Sequence, residues 1–290
     1  MFMLLVTTLI WGSTYVVTKE VVETLPPLTL AFARVAIAAI VLLPFAIIRR
    51  RRREAALALP WRVVASLGFV GVALYYALFN VALAHTSASQ GALVQSCIPA
   101  ITALVALSWL RERATGRRWW GIALSVLGVA VVFAGAPGGT QGSASLGNAL
   151  MFASVICWGV YTSLAKRAAN MDAVAVTFGA TAAAALMLAP AAAFELAWAG
   201  VPRLDAAAWM GVLYLGAGAS GLAYLLYNAA LRYMDAGQAG VYMNLVPVIG
   251  VVSGVVALGE PLSRRALFGG ALVLTGVWVT STSRRPGGSR

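Results

Sequence analysis

Ten apolar runs, each about 20 residues long, dominate this sequence of 290 residues. At 1.5 Å per residue, an α-helix of about 20 residues crosses a hydrocarbon layer of about 30 Å. A soluble fold would lack polar residues for its surface, because 61% of the residues are hydrophobic and only 10% are charged. The sequence therefore predicts an all-α membrane protein with ten transmembrane helices. The predicted spans are residues 3–19, 28–48, 62–83, 90–110, 117–135, 146–166, 173–195, 208–231, 238–258 and 265–283.

The basic residues lie almost entirely in the connections between these runs. With a cytoplasmic N-terminus, 16 of the 21 Lys and Arg residues fall on the cytoplasmic side and four on the other. This asymmetry predicts that both termini are cytoplasmic. The net charge of +12 is then a topology signal, and we expect no nucleic-acid partner. We expect the first run to be retained as a span, since it matches an internal segment.

The chain contains an internal repeat. Residues 61–133 align without a gap with residues 209–281, and 23 of the 73 pairs are identical. At a shift of 147 positions, Trp11 also pairs with Trp158. A shared bias toward Ala, Leu and Val does not explain the polar, aromatic and proline pairs in one register. These pairs are Trp61/Trp209, Tyr76/Tyr224, Asn80/Asn228, Gln90/Gln238, Pro99/Pro247, Glu112/Glu260 and Arg117/Arg265.

The repeat predicts two five-helix units. The first is residues 1–136 and the second is residues 146–290, joined by residues 137–145. Because five is an odd number, the second unit enters the membrane from the opposite side. Inverted repeats of this kind are the architecture of secondary transporters, in which two similar halves exchange conformations.

Three segments resemble a known family. They are "LIWGSTYVVTK", "SWLRERATGRRWWGIALSVLGVAVV" and "VALGEPLSRRALFGGALVLTGVWVT". Together they resemble the EamA-type branch of the drug/metabolite transporter superfamily, over the whole chain. The resemblance implies a ten-helix bundle in a bacterial inner (plasma) membrane, with both ends cytoplasmic. It also implies export of amino acids and related metabolites, as in the YddG-type exporters. The first half departs from the pattern, since Arg111-Glu112 stands where Gly-Glu is expected.

Polar and aromatic side chains within the spans identify the helices that face a cavity, because contact with lipid does not stabilise an amide. Spans 1, 3, 4, 6, 8 and 9 carry them, whereas spans 2, 5, 7 and 10 are predicted scaffold. Hydrogen bonding between helices is the alternative role for the asparagines. Core packing or a place at the interface is the alternative for the aromatic residues. The predicted substrate-binding residues are Trp11, Tyr15, Tyr76, Asn80, Gln95, Ser96, Trp158, Tyr161, Tyr224, Asn228, Tyr242 and Asn244.

Pro99 and Pro247 fall in the middle third of spans 4 and 9. Each proline removes one backbone hydrogen bond and permits a bend. We interpret the pair as hinges of an alternating-access gate. The alternative is that both are kinks without a gating role.

Several charged residues have simple structural interpretations. Arg34 lies about 9 Å along span 2 from its outer end, from where its side chain can snorkel to water, and a functional role is the alternative. Lys19 ends span 1, where snorkelling and attraction of the substrate are alternative interpretations. Glu112 and Glu260 are expected to form interfacial ion pairs with nearby arginines.

The chemistry that the spans lack also limits the function. Asp, Glu and His are absent from the middle of every predicted span, so the sequence offers no obvious proton carrier or cation site. We therefore expect a carrier of small molecules with no cofactor or metal, as a monomer or homodimer, and not an enzyme. The alternatives are a proton-coupled exporter of drugs, nucleobases or other metabolites, and a membrane helper subunit that transports nothing.

Overall fold

The computed structural model describes residues 2–52, 60–109, 115–134, 141–168, 171–230 and 243–281, and every regular element in these ranges is helical. The α-helices of the first half are α1 (Phe2–Val21), α2 (Pro27–Arg52), α3 (Trp61–Ser66), α4 (Tyr75–His85), α5 (Ala88–Gln95), α6 (Ile98–Trp109) and α7 (Gly116–Ala134). Those of the second half are α8 (Gln141–Arg167), α9 (Ala173–Ala199), α10 (Ala206–Leu213), α11 (Ala223–Ala230), α12 (Leu245–Leu258) and α13 (Arg264–Ser281).

Seven helical stretches in the described part of the chain are long and apolar enough to cross a membrane. They are Phe2–Val21, Pro27–Ile48, Trp61–His85, Ala88–Val105, Ser143–Ala165, Ala173–Ala199 and Ala206–Tyr227. Two shorter apolar helices, Trp119–Val132 and Leu245–Leu258, fall within two of the remaining predicted spans. Large apolar side chains point outward, and Trp198 is 87% exposed and Val256 79% exposed. Such a surface suits a lipid environment.

Capping residues account for the ends of several helices. The Asp205 carboxylate accepts a hydrogen bond from Ala208 N at 2.8 Å and begins α10. The Ser87 hydroxyl accepts one from Gln90 N at 3.2 Å and begins α5. Gly259 ends α12 with a φ of 63°, a left-handed conformation that glycine adopts without a steric cost.

Two π-helical segments lie at equivalent places in the two halves. The first π segment, Leu67–Leu74, connects α3 to α4, and the second π segment, Tyr214–Leu222, connects α10 to α11. Leu67 and Leu215 are a pair in the alignment at 148 positions, so the helical irregularity recurs with the sequence repeat. A π-helical turn displaces backbone hydrogen bonds and is frequent at functional sites.

Helices α7 and α13 pack through glycines in a reciprocal way. A Cβ atom at Gly128 would lie 2.6 Å from the Gly269 carbonyl oxygen, and one at Gly276 would lie 2.5 Å from the Gly121 carbonyl oxygen. Gly121 pairs with Gly269, and Gly128 pairs with Gly276, in the sequence repeat. The contact of Gly128 with Gly269 therefore recurs as the contact of Gly276 with Gly121, as expected for two surfaces related by a twofold axis.

Candidate functional site

A cavity of about 90 Å³ lies between the helices of the bundle. Because one water needs about 10–15 Å³ on this scale, the cavity has room for several waters or a small solute. Both halves of the sequence contribute to its wall. The lining residues are Trp11, Thr14, Tyr15, Arg34, Tyr75, Tyr76, Phe79, Gln95, Ser96, Ile98, Pro99, Trp158, Tyr224, Met243, Asn244, Val246 and Pro247.

Aromatic rings from both halves form one side of the cavity. The ring centroids of Trp11 and Trp158 are 5.8 Å apart, with the planes at 84°. Tyr224 lies 5.3 Å from Trp11, and Tyr75 lies 5.2 Å from Trp158. Edge-to-face packing at these distances is favourable for aromatic pairs. The two tryptophans paired by the repeat therefore meet at the cavity and offer an apolar surface to a solute.

Gln95, the last residue of α5, is the centre of a buried polar network. Its Oε1 accepts hydrogen bonds from the hydroxyls of Tyr15 at 3.1 Å and Tyr75 at 3.3 Å. Its Nε2 donates to the Ser154 hydroxyl at 3.0 Å. One amide thus joins α1, α4, α5 and α8, which fixes the polar side of the cavity.

The second π segment forms hydrogen bonds with two residues of the cavity wall, Trp11 and Tyr76. Trp11 Nε1 donates a hydrogen bond to the Ala219 carbonyl oxygen at 3.0 Å. The neighbouring Ser220 hydroxyl donates to Tyr76 Oη at 3.2 Å. The irregular backbone of this segment therefore orients an indole and a phenol of the cavity wall.

Arg34 is buried, with 1% of its surface exposed, and its side chain lines the cavity. Its Nε donates to the Ser220 hydroxyl at 3.1 Å, and its Nη1 donates to Asn80 Oδ1 at 3.4 Å. Its guanidinium carbon lies 3.9 Å from the centroid of the Tyr76 ring, a cation–π contact. The cavity therefore contains a fixed positive charge held by neutral groups.

Two helix interruptions border the cavity. Helix α5 ends at Gln95 and α6 begins at Ile98, one residue before Pro99. In the second half a turn at Asn244 precedes α12 and Pro247. Ser96 and Asn244, which pair in the repeat, lie in these interruptions, and both line the cavity.

A sequence profile of the EamA-like transporter family matches the chain twice, over residues 1–134 and 145–282. The chain belongs to this family. It is a multi-pass membrane protein with several apolar helices. A crystal structure of another protein has a TM-score of 0.68 and 22% identity to this chain, covering 96% of this chain and 94% of that one, which shows a shared fold.

Curated relatives of this EamA-like chain include several proteins named as uncharacterized transporters. The uncharacterized transporter YyaM of Bacillus subtilis is 27% identical over 288 residues, with 96% of this chain and 92% of that protein covered. Protein PA1977 of Pseudomonas aeruginosa is 36% identical over 226 residues, with 74% and 72% covered. A probable terminal-alkyne amino-acid exporter of Streptantibioticus cattleyicolor is 26% identical over 282 residues, with 94% and 90% covered.

Most of the residues predicted to bind substrate in this EamA-like protein meet at the cavity. All six helices predicted to form the wall contribute to the lining. The predicted residues in the lining are Trp11, Tyr15, Tyr76, Gln95, Ser96, Trp158, Tyr224 and Asn244, with both predicted hinges, Pro99 and Pro247. Their role in binding or gating remains a prediction.

Four predicted residues are placed elsewhere or are not described. Asn80 is fully buried beside the cavity, where its Nδ2 donates to the Pro27 carbonyl oxygen at 3.2 Å. Tyr161 packs behind Trp158, with the ring centroids 5.4 Å apart, and is absent from the lining. The backbone of Asn228 lies in α11, but its side chain and all of Tyr242 lie outside the described residues.

The snorkelling interpretation of Arg34 is wrong. Span 2, predicted to be scaffold, contributes Arg34 to the cavity wall. The Asn80 amide reaches Pro27 at the start of α2, and the Glu195 carboxylate accepts a hydrogen bond from Thr29 N at 2.6 Å. Neighbouring helices therefore cover the first turns of α2, and the guanidinium lies at the cavity instead of reaching the membrane interface. The general rule that intramembrane charges face the bundle interior would have identified this residue.

Glu260 and Lys19 also have other partners than expected. The Glu260 carboxylate accepts hydrogen bonds at 2.7 Å from both Ala88 N and Ser89 N, capping α5 instead of pairing with an arginine. Lys19 Nζ donates to the Leu83 carbonyl oxygen at 2.9 Å, and its side chain is half-buried. Glu112 lies outside the described residues. The bonds of Glu260 and Lys19 hold together one end of the bundle.

Proposed function

We propose that the protein is a secondary transporter that exports small amphipathic metabolites, amino acids with apolar or aromatic side chains first among them. The observation that carries this proposal is the cavity, which is enclosed by helices of both halves and has an aromatic side and a polar side. An amphipathic solute would place its apolar part against Trp11 and Trp158 and its polar part near Gln95. The name of one relative, a probable amino-acid exporter, supports the same class of solute.

The proposed architecture is ten transmembrane helices in two inverted five-helix repeats, residues 1–136 and 146–290, joined by residues 137–145. Helices α7, α12 and α13 occupy the three predicted spans beyond the seven apolar stretches, which supports this count. The recurring π segments and the reciprocal glycine contact between α7 and α13 support a twofold relation between the halves.

The proposed transport cycle is alternating access, in which the two ends of the cavity open in turn. The interruptions near Pro99 and Pro247 would act as hinges. The bonds of Glu260 to the start of α5 join the second half to the first at one end of the bundle. Opening that end would require these bonds to break.

We propose that transport needs no coupling ion. Within the described residues the cavity wall contains no carboxylate and no histidine that could carry a proton. The proposed location is a bacterial inner membrane, with both termini cytoplasmic. The basic asymmetry of the connections supports this orientation.

Counterflow in proteoliposomes tests the proposal. Purified full-length protein, loaded inside with unlabelled phenylalanine, should accumulate labelled phenylalanine or leucine transiently and saturably, without an imposed pH gradient. Protein-free liposomes give the background. Linear, unsaturable uptake would indicate a channel, and uptake that requires a pH gradient would refute the uncoupled mechanism. No uptake of any amino acid, nucleobase or drug in a panel would contradict the transport function itself.

A further inference from the structure

Arg34 is a buried cation whose contacts in the described structure are neutral. An arginine keeps its charge in proteins, and removing a charge from water costs several kcal/mol unless charged or polar groups compensate. Ser220, Asn80 and the Tyr76 ring compensate only partly, because none of them carries a negative charge. An anion in the cavity would complete the compensation.

The acidic residue next to the start of α2 is already engaged. Glu195 accepts hydrogen bonds from Leu28 N at 3.2 Å and from the Thr29 hydroxyl at 2.8 Å, so its carboxylate caps the helix. The cavity wall contains no acidic side chain among the described residues. A solute in the cavity therefore meets one fixed positive charge and, in the described wall, no fixed negative charge.

The guanidinium still has donors to offer. Two of its five N–H groups are used by the hydrogen bonds to Ser220 and Asn80. The remaining groups, on Nη1 and Nη2, form the planar fork that matches a carboxylate.

The backbone around the cavity adds to the positive potential. Helices α6 and α12 both begin at the cavity, and Ile98 and Val246 in their first turns line it. The beginning of a helix carries a partial positive charge that favours an anion. The Asn244 side chain precedes α12 without capping it, so its amide is free of that role. Discontinuous helices serve anionic solute groups in this way in other transporters.

We propose that Arg34 binds the carboxylate of the transported solute, so that the transporter selects small monocarboxylates with an apolar or aromatic body. The α-ammonium group of an amino acid is then dispensable, because the described wall offers no acidic partner for it. One guanidinium matches one carboxylate, and the aromatic rings of Trp11 and Trp158 provide the apolar surface. This inference rests on the proposed transport function and specifies its substrate class.

Binding of matched ligands to the purified full-length protein tests the inference. Phenylalanine, 3-phenylpropionate, which lacks the amine, and phenethylamine, which lacks the carboxylate, differ only in their head groups. Quenching of tryptophan fluorescence would report binding, since Trp11 and Trp158 line the cavity. We expect Kd values for the two carboxylates within a few-fold of each other, and a Kd for phenethylamine about 30-fold weaker or more.

Variants separate recognition from a merely structural role. Arg34→Gln should weaken 3-phenylpropionate binding about 30-fold without weakening phenethylamine binding, which loses a repulsive charge, whereas Arg34→Lys should retain part of the preference. Arg203→Gln removes one positive charge from an exposed position outside the cavity and should retain the wild-type preference. A loss of fold would weaken every ligand alike, so the ratio between ligands is the readout.

The wild-type measurement keeps the inference falsifiable even if the Arg34 variants do not fold. Equal binding of phenethylamine and 3-phenylpropionate would overturn it, and so would tighter binding of phenyl phosphate than of either carboxylate. Counterflow of all three ligands at similar rates would leave transport intact and refute the role of Arg34. Selective carboxylate binding without counterflow would support Arg34 and refute the transport function.

Discussion

The two halves of the molecule share their packing but differ in chemistry at the cavity. A Cβ atom at Gly216 would approach the Arg34 carbonyl oxygen, and a Cβ atom at the equivalent Gly68 would approach the Ala180 carbonyl oxygen. These matching contacts make Ala180 the counterpart of Arg34. One half thus carries a cation where the other carries a methyl group. The repeat preserves the backbone contacts, while solute recognition depends on positions where the halves have diverged.

Gln95 shows the same divergence. Its counterpart at a shift of 148 positions is Met243, and both line the cavity. The amide of Gln95 orders Tyr15 and Tyr75, whereas the thioether of Met243 offers an adaptable apolar surface. The cavity is therefore amphipathic because its two related walls are unlike.

The largest effect should come from disrupting a contact that the two halves share. Gly128→Leu and Gly276→Leu should each destabilise the protein by about 3 kcal/mol or more, because a side chain would meet backbone of the facing helix. Gly116→Leu is the control, since a Cβ atom there meets nothing within 4 Å. Thermal unfolding in detergent measures the effect. If only one of the two glycines mattered, the reciprocal contact between α7 and α13 would be contradicted.

A smaller effect should follow from making the two walls alike. Gln95→Met introduces the residue of the other half and leaves the buried hydroxyls of Tyr15 and Tyr75 without their acceptor, whereas Ser154 keeps its hydrogen bond to the Met151 carbonyl oxygen. We expect counterflow to fall about tenfold, since each unsatisfied buried group costs about 1–3 kcal/mol. Met243→Gln, the reverse exchange, should change the rate much less because, among the described residues, no hydrogen-bonded network depends on the Met243 side chain. Equal losses in the two variants would argue against a special role for Gln95.

Much of this structure follows from sequence patterns alone. The repeat pairs Trp11 with Trp158 and Ser96 with Asn244, and all four residues line the cavity. Polar and aromatic residues inside spans identified six of the wall helices, because lipid gives such groups no partner, but missed span 2 with Arg34. The seven apolar stretches coincide with predicted spans, because the length and hydropathy of a membrane-crossing helix can be read from the sequence.

Other features depend on three-dimensional contacts that a periodic pattern does not contain. Tyr161 has the residue type of a wall residue, yet it packs behind Trp158 and against Gly71, where a Cβ atom would collide with its ring. The burial of Arg34 depends on Asn80 and Glu195 covering the start of α2. Residue type alone does not indicate the two π segments, in which Gly68 and Gly216 pack closely against α9 and α2.

The smallest effect should come from the two proposed hinges, and it tests whether the halves move as equivalents. Pro99→Ala and Pro247→Ala each allow one additional backbone hydrogen bond across an interruption, which would stiffen it by about 1 kcal/mol. We expect each single variant to slow counterflow about fivefold, and the double variant to slow it further, with little change in expression.

Pro44→Ala is a matched control, because this proline lies within the continuous helix α2 and outside the cavity lining. Because an exchange of conformations between related halves bends both hinges in each cycle, the two single variants should have similar effects. A loss confined to Pro99→Ala would restrict the hinge to the first half, and an unchanged rate in the double variant would remove the hinges from the transport cycle.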